Sequence, residues 1–337
     1  MRVVEFISVR EIVGLMSQIS QKQTNCNMVH IAFAPLYKLP LPASPARGDE
    51  PGEPHRFPML KYELIPEQLL YEGTCTEANF FAPTPVDDRW VLGVHSPGYV
   101  HQLKTLTIPA QMVRRIGFPL SAELIEREWI ITQGTIDCAL LAMQFGCAMN
   151  VAGGTHHAYP DRGEGFCLLN DVGVAAHFLL ETGLAKRILV IDLDVHQGNG
   201  TAVMFQEEER VFTFSMHGKD NYPLKKEQSD LDIPLPTGTT DEVYLSTLYQ
   251  TLPRLIDQHR PDFLFYVAGV DIVATDRLGK LAVSREGCRQ RDQYVFDTAI
   301  ARGLPIAVSM GGGYSPRIAD IVEAHCNTFR VAVAKFS

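Results

Sequence analysis

ILVIDLDVHQGNG, residues 188–200, sets the reading of the whole chain. Its first half, Ile188–Leu193, is a short apolar run without polar alternation, the pattern of a strand buried on both faces. Its second half spaces Asp192, Asp194 and His196 two apart. In an extended segment such residues point to the same side, so the three can converge while Leu193 and Val195 turn into packing. Carboxylate oxygen and imidazole nitrogen suit a borderline divalent ion, and no cysteine stands nearby.

Working outward, the runs Ala148–Ala152, Val211–Ser215, Phe263–Ala268 and Pro305–Ser309 read as further strands, with Val29–Ala34 as the first. Helix signals alternate with them. Asn170-Asp171 opens a helix that closes at Gly183. Thr239 and Glu242 form a capping-box pattern ahead of Leu245, Leu248, Leu252 and Leu255, with a kink expected at Pro253. Ser284 caps another helix, which stops at Gly303-Leu304-Pro305. Ser121 to Phe145 reads as one long helix with a break near Gly134. Strands and helices in alternation predict an α/β fold with a mainly parallel central sheet and helices on both faces.

Unusual polar residues fall just past the strand ends. Gly153-Gly154-Thr155-His156-His157 follows the strand ending at Ala152, Asp271 lies past Phe263–Ala268, and Gly311-Gly312-Gly313-Tyr314 follows Ser309. Ligands of open α/β sheets bind outside the carboxyl ends of the strands. Four strands thus bring His, Asp and Tyr to one rim. Asp194 and His196 need a third ligand, and Asp271 is the best candidate. Three protein ligands leave a position for water, the arrangement of a catalytic site. Singly, each cluster has a plainer meaning: Asp-x-Asp-x-His can cap a loop, and a glycine run is commonly a tight turn. The case for a metal hydrolase is their coincidence.

Composition narrows the alternatives. The chain has 337 residues, 39 acidic against 30 basic, for a net charge of −9, with 46% hydrophobic and 20% charged residues. That suits a globular protein and argues against disorder. The acidic balance does not suit direct phosphate-driven nucleic-acid binding. No run approaches the ~20 apolar residues of a membrane span, and Glu5, Arg10 and Glu11 interrupt any signal-peptide core. Seven scattered cysteines without a CxxC pair point to reduced thiols and a cytoplasmic setting. Pro40–Pro58 reads as a surface loop, and residues 1–27 as an extension of unknown role.

The clusters, together with Gly165-Phe166-Cys167-Leu168-Leu169-Asn170-Asp171 and His55-Arg56-Phe57-Pro58-Met59, resemble the zinc-dependent histone deacetylase family. That family includes bacterial acetoin-utilisation and acetylpolyamine amidohydrolase relatives and shares the single-domain arginase/deacetylase fold. The resemblance covers about residues 28–337. It implies one Zn2+ (Fe2+ suits the same donors) on Asp194, His196 and Asp271. It makes His156 and His157 the proton-handling pair, His157 the general base and acid, with Asp192 behind His156. Tyr314 becomes the donor to the oxyanion, and Gly165, Phe166 and Tyr222 walls of a channel for an acylated chain. A K+ near the backbone of Asp192, Asp194 and His196, the Ser215 side chain and the Met216 carbonyl is implied as well, damping the basicity of His156.

Two departures refine this. The residue behind the second histidine is Asn199, where class I eukaryotic deacetylases carry an aspartate. With Gln197 and Asp276-Arg277-Leu278-Gly279, it resembles class II and, more closely, class IV members. A neutral partner should leave His157 less basic, and it opens the door to acyl groups longer than acetyl. Arginase-type enzymes place an aspartate two residues after the ligand histidine, where this chain has Gly198, so one metal is expected. The expected substrate is acyl-lysine in a peptide or protein, with an acylpolyamine or other small acylated amine as the alternative. A ureohydrolase, a metal scaffold without catalysis and a nucleotide-binding oxidoreductase are the rival classes. The last lacks a glycine fingerprint after the first strand.

Overall fold

Strands that are apolar along their whole length must be covered on both faces, and the helices between them do so. The computed structural model describes residues 28–42 and 55–337. Eight strands form one parallel sheet: β1 (His30–Ala32), β2 (Phe80–Phe81), β3 (Cys147–Asn150), β4 (Ile188–Asp192), β5 (Val211–Gly218), β6 (Leu231–Leu235), β7 (Phe263–Val267) and β8 (Ile306–Ser309). Their order is β2-β1-β3-β8-β7-β4-β5-β6. β2 and β6, the two edges, have no counterpart among the expected strands. β2 has only two residues, and β6 is mostly half-exposed and contains Pro234, so neither carries a buried strand's apolar signature.

The described helices are α1 (Lys61–Tyr71), α2 (Asp88–Val94), α3 (Pro97–Lys104), α4 (Ala110–Ile116), α5 (Ala122–Phe145), α6 (Asp171–Glu181), α7 (Asn199–Met204), α8 (Asp241–His259), α9 (Arg285–Ala301) and α10 (Ile318–Phe336). Ser121, Asn170 and Ser284 accept the N-terminal N–H bonds of α5, α6 and α9. Three details differ from expectation. The helix α5 runs unbroken through Gly134, whose role is contact: a Cβ there would lie 2.6 Å from the Tyr37 hydroxyl. The capping box of α8 does not form: the helix starts one residue later, with Thr240 at its N-cap and no side-chain cap bond, while the Thr239 hydroxyl donates to the Pro236 carbonyl at 2.7 Å. The helix also continues through Pro253, while Leu245, Leu248, Leu252 and Leu255 are buried as its spacing predicts. Residues 1–27 and most of the Pro40–Pro58 loop (43–54) lie outside the described residues. No described helix is long and apolar enough to cross a membrane.

Candidate active site

The four clusters follow β3, β8, β7 and β4, which are consecutive neighbours at the centre of the sheet. Parallel pairing puts all four carboxyl ends on one edge, so the turns that leave them meet. The anticipated mechanism of convergence needs correction. The strand β4 ends at Asp192, and Asp194 and His196 lie in a bend beyond it. The bend divides the polar residues between two tasks while Leu193 and Val195 stay fully buried.

Asp194, His196 and Asp271 offer donor atoms that all lie within 4.8 Å of one another. His196 Nδ1 is 3.0 Å from Asp194 Oδ1 and 3.1 Å from Asp271 Oδ2. Backbone N–H groups hold the outer carboxylate oxygens: Gly312 donates to Asp194 Oδ2 at 2.7 Å and Val195 to Asp271 Oδ1 at 2.9 Å. A Cβ on Gly312 would fall 2.0 Å from Asp271 Oδ2, so only glycine fits there. Burial, then repulsion by Asp194, pushes the Asp271 carboxyl up to about 7. Burial by itself would lower His196, but Asp194 and Asp271 hold it up at about 10. Two carboxylates forced together around one imidazole out of water are what a divalent cation neutralises, and the donor set fits such an ion.

Asp192 points the other way. Its Oδ2 accepts from His156 Nδ1 at 2.7 Å. His157 Nδ1 donates to Asn199 Oδ1 at 2.6 Å, and Asn199 Nδ2 in turn donates to the Tyr159 hydroxyl at 2.9 Å. The turn carrying both histidines is anchored by Asp171, the first residue of α6, which accepts from Gly154 N at 3.1 Å and Thr155 N at 2.8 Å. The His156 and His157 rings stand 4.2 Å apart, and His157 lies 5.9 Å from His196.

Tyr314 completes the group, its ring 6.2 Å from that of His196 and its backbone N–H donating to Asp276 Oδ2 at 2.6 Å. Burial, then the charges of Asp194 and Asp271, keep its phenol well above the usual range and therefore neutral. Phe166 lies 6.0 Å from Tyr314 and 5.1 Å from Phe57. Its φ of 68° is left-handed, a cost for a bulky residue that its N–H bond to Ile116 O (2.7 Å) helps to hold. Gly165 precedes it against the His157 ring. Tyr222 stands 5.0 Å from His157, half-exposed, its hydroxyl donating to Glu164. Ser215 pairs in register with Asp192, and its hydroxyl lies 3.0 Å from His217 Nδ1; Met216 is fully buried.

A family model for the histone deacetylase domain matches residues 51–329. The chain belongs to the histone deacetylase domain family. It is 44% identical over 302 residues to an uncharacterized protein of Picosynechococcus sp., covering 90% of this chain and 97% of that one. Histone deacetylase 2 of Arabidopsis thaliana is 29% identical over 277 residues, 80% of this chain and 72% of the relative. The crystal structure of the HDA15 HD domain superposes with a TM-score of 0.75 at 20% identity, covering 92% and 89% of the two chains, a likeness of fold. Membership in the deacetylase family makes the chain a deacetylase-like hydrolase of amides.

Around this deacetylase-family site the fold adds groups that the motifs did not single out. Lys61 is fully buried on α1, its Nζ donating to Gly311 O at 3.2 Å; burial lowers it to about 8 despite the attraction of Asp271 and Asp194. Arg127, also buried, lines the same cavity as His156, His157 and Tyr314. Ile65 lies one turn beyond Lys61, and Leu124 and Ile131 flank Arg127, whose guanidinium pairs with the buried Glu128. A charged residue on the buried face of a helix is the signal that could have found them.

Proposed function

We propose that the protein is a metal-dependent amidohydrolase that removes an acyl group from the side-chain amine of lysine in a peptide or protein. One observation carries this reading: two abutting imidazoles, one backed by a carboxylate and one by an amide, share a cavity with Asp194, His196 and a neutral tyrosine, and Asp271 closes the donor group behind them. Those three residues would hold the ion, with Zn2+ as our assignment and Fe2+ compatible with the same donors. An ion of this kind supplies Lewis acidity, polarising a carbonyl and lowering the pKa of water.

The chain's own residues do the rest. His157 is driven well below its ordinary value by burial first and then by the charge of His156 beside it, so it is neutral and its Nε2 can take a proton from water. Asn199 fixes the tautomer that leaves Nε2 free. The same nitrogen then returns the proton to the leaving amine, so amide and water become carboxylic acid and amine. Tyr314 donates to the carbonyl oxygen as charge develops there. Asp192 keeps His156 charged beside the reacting centre.

Gly165, Phe166 and Tyr222 form the channel walls in this reading, and residues 28–337 the catalytic unit. The cavity reaches the buried side chains of Arg127 and Ile131, and we assign it the acyl group, acetyl or longer. We assign K+ to the carbonyls of Asp192, Asp194, His196 and Met216 with the Ser215 hydroxyl. The six described cysteines are free and buried, in keeping with a cytoplasmic protein. The deciding experiment is an acyl-chain series on one lysine peptide, with and without chelator. We expect amine release that chelator abolishes and added Zn2+ restores, with a rate optimum at one chain length. Release from acylpolyamines alone would move the substrate to small amines, and chelator-insensitive release would overturn the metal assignment.

A further inference from the structure

The ligand-bearing turns have a rear side as well as a front. Behind them lies Arg291 on α9, fully buried although the helical period at 288, 295, 296 and 299 asks for an apolar residue. Its guanidinium reaches two turns at once. Nη1 donates to the carbonyl of Leu193, the residue before Asp194, at 3.2 Å, and to the carbonyl of Gly269, two residues before Asp271. Nη2 lies 3.5 Å from the Ala268 carbonyl.

Each of these peptide units connects onward to the site. The N–H of the 193–194 peptide belongs to Asp194 and donates to Asp192 Oδ1 at 3.2 Å, the carboxylate that holds His156. The N–H of the 269–270 peptide belongs to Val270 and donates to Gly312 O at 2.9 Å, and Gly312 N holds Asp194. The guanidinium is fixed in turn by Asp292, which accepts from its Nε at 2.9 Å, from the Tyr266 hydroxyl and from Thr328 Oγ1 at 2.7 Å. Tyr266 lies on β7, so the clamp is bolted to the strand that leads to Asp271.

A buried Arg–Asp pair is a weak stabiliser, and apolar residues of similar size often do as well. What apolar residues cannot do is bind two carbonyls from different strands in one rigid fork. We infer that Arg291 is a positioning residue: it locks the Asp194 and Asp271 turns from behind, so that the three donors hold their spacing before any ion arrives. This rests on the proposal that Asp194, His196 and Asp271 bind a divalent ion.

The test uses Co2+ as probe on the full chain, reading affinity by chelator competition and ligand geometry by visible absorption, with far-UV circular dichroism and thermal unfolding alongside. Arg291→Lys keeps the charge and loses the fork; Asp292→Asn keeps the arginine and frees its orientation. We expect Co2+ affinity to fall about 10- to 100-fold in Arg291→Lys, as for other outer partners of metal ligands, with an altered absorption spectrum and native circular dichroism. Asp292→Asn should shift both in the same direction by less, and it decides the matter if the lysine variant does not fold. Folded variants with wild-type affinity and spectrum, even at a lowered unfolding temperature, overturn the inference. Failure of the underlying ion assignment looks different: wild-type protein would bind no Co2+, or Asp271→Asn would bind it as tightly as wild type.

Discussion

Two imidazoles stand 4.2 Å apart in this site, and their surroundings drive them in opposite directions. Burial alone would lower both. At His156 the Asp192 and Asp194 carboxylates outweigh burial and hold the ring charged up to about 9. At His157 the partner is an amide, and burial is reinforced by the positive ring of His156 beside it. Exchange of one oxygen for one amide nitrogen in the backing residue thus separates a fixed positive charge from a proton acceptor. The two histidines are neighbours in sequence with the same chemistry, so the division between them lies in the groups that surround each ring.

The sharpest way to break that comparison is His157→Ala, which should lower kcat/KM by about 10⁴-fold in a steady-state assay on an acyl-lysine peptide. Activity kept within tenfold of wild type would hand the proton transfer to His156. Next is Tyr314→Phe, for which we expect a loss of about 10²–10³-fold. Its pH profile should keep both limbs where they are, because the phenol does not titrate in the working range; a displaced limb would tie Tyr314 to one of the imidazole arms. Asp192→Asn should cost about 10–100-fold. In the proposed mechanism the sign is set by a charged His156: activity should be lost as pH rises through its pKa, and without the carboxylate that loss should begin at lower pH. The smallest effect is expected from Asn199→Asp. A carboxylate there raises His157, which must be neutral to act, so activity is lost earlier as pH falls and the acid limb of kcat/KM should move up by about one unit or more. A profile superimposable on wild type would mean that the 199 position only orients the ring.

The central strands and their terminal polar clusters were legible because both depend on local pattern. Ile188–Asp192, Phe263–Val267 and Ile306–Ser309 are apolar up to a closing Asp192 or Ser309, and the glycines and further aspartates begin just beyond them. The edges were not legible, since Phe80–Phe81 and Leu231–Leu235 are half-covered and pattern like loop. Among the site residues, Asp194, His196, Asp271, the histidine pair and Tyr314 stood out through spacing and family resemblance. Lys61 and Arg291 did not, nor did the anchoring role of Asp171, because each serves the site through a backbone atom or a turn far away in the chain, and no short window contains both partners.

Side-chain chemistry and the strand-end positions of His156, His157, Asp194, His196, Asp271 and Tyr314 are properties of the sequence, because periodicity and turn residues act over a few residues. Which strands lie side by side is not. The order β3-β8-β7-β4 pairs Cys147 with Ile306, Leu264 with Ile306 and Ile188 with Phe263, residues far apart in the chain, and only that pairing makes four separate turns into one site. The charge states of the two histidines were decided at the same level, since burial and the approach of distant carboxylates exist only once the chain is packed.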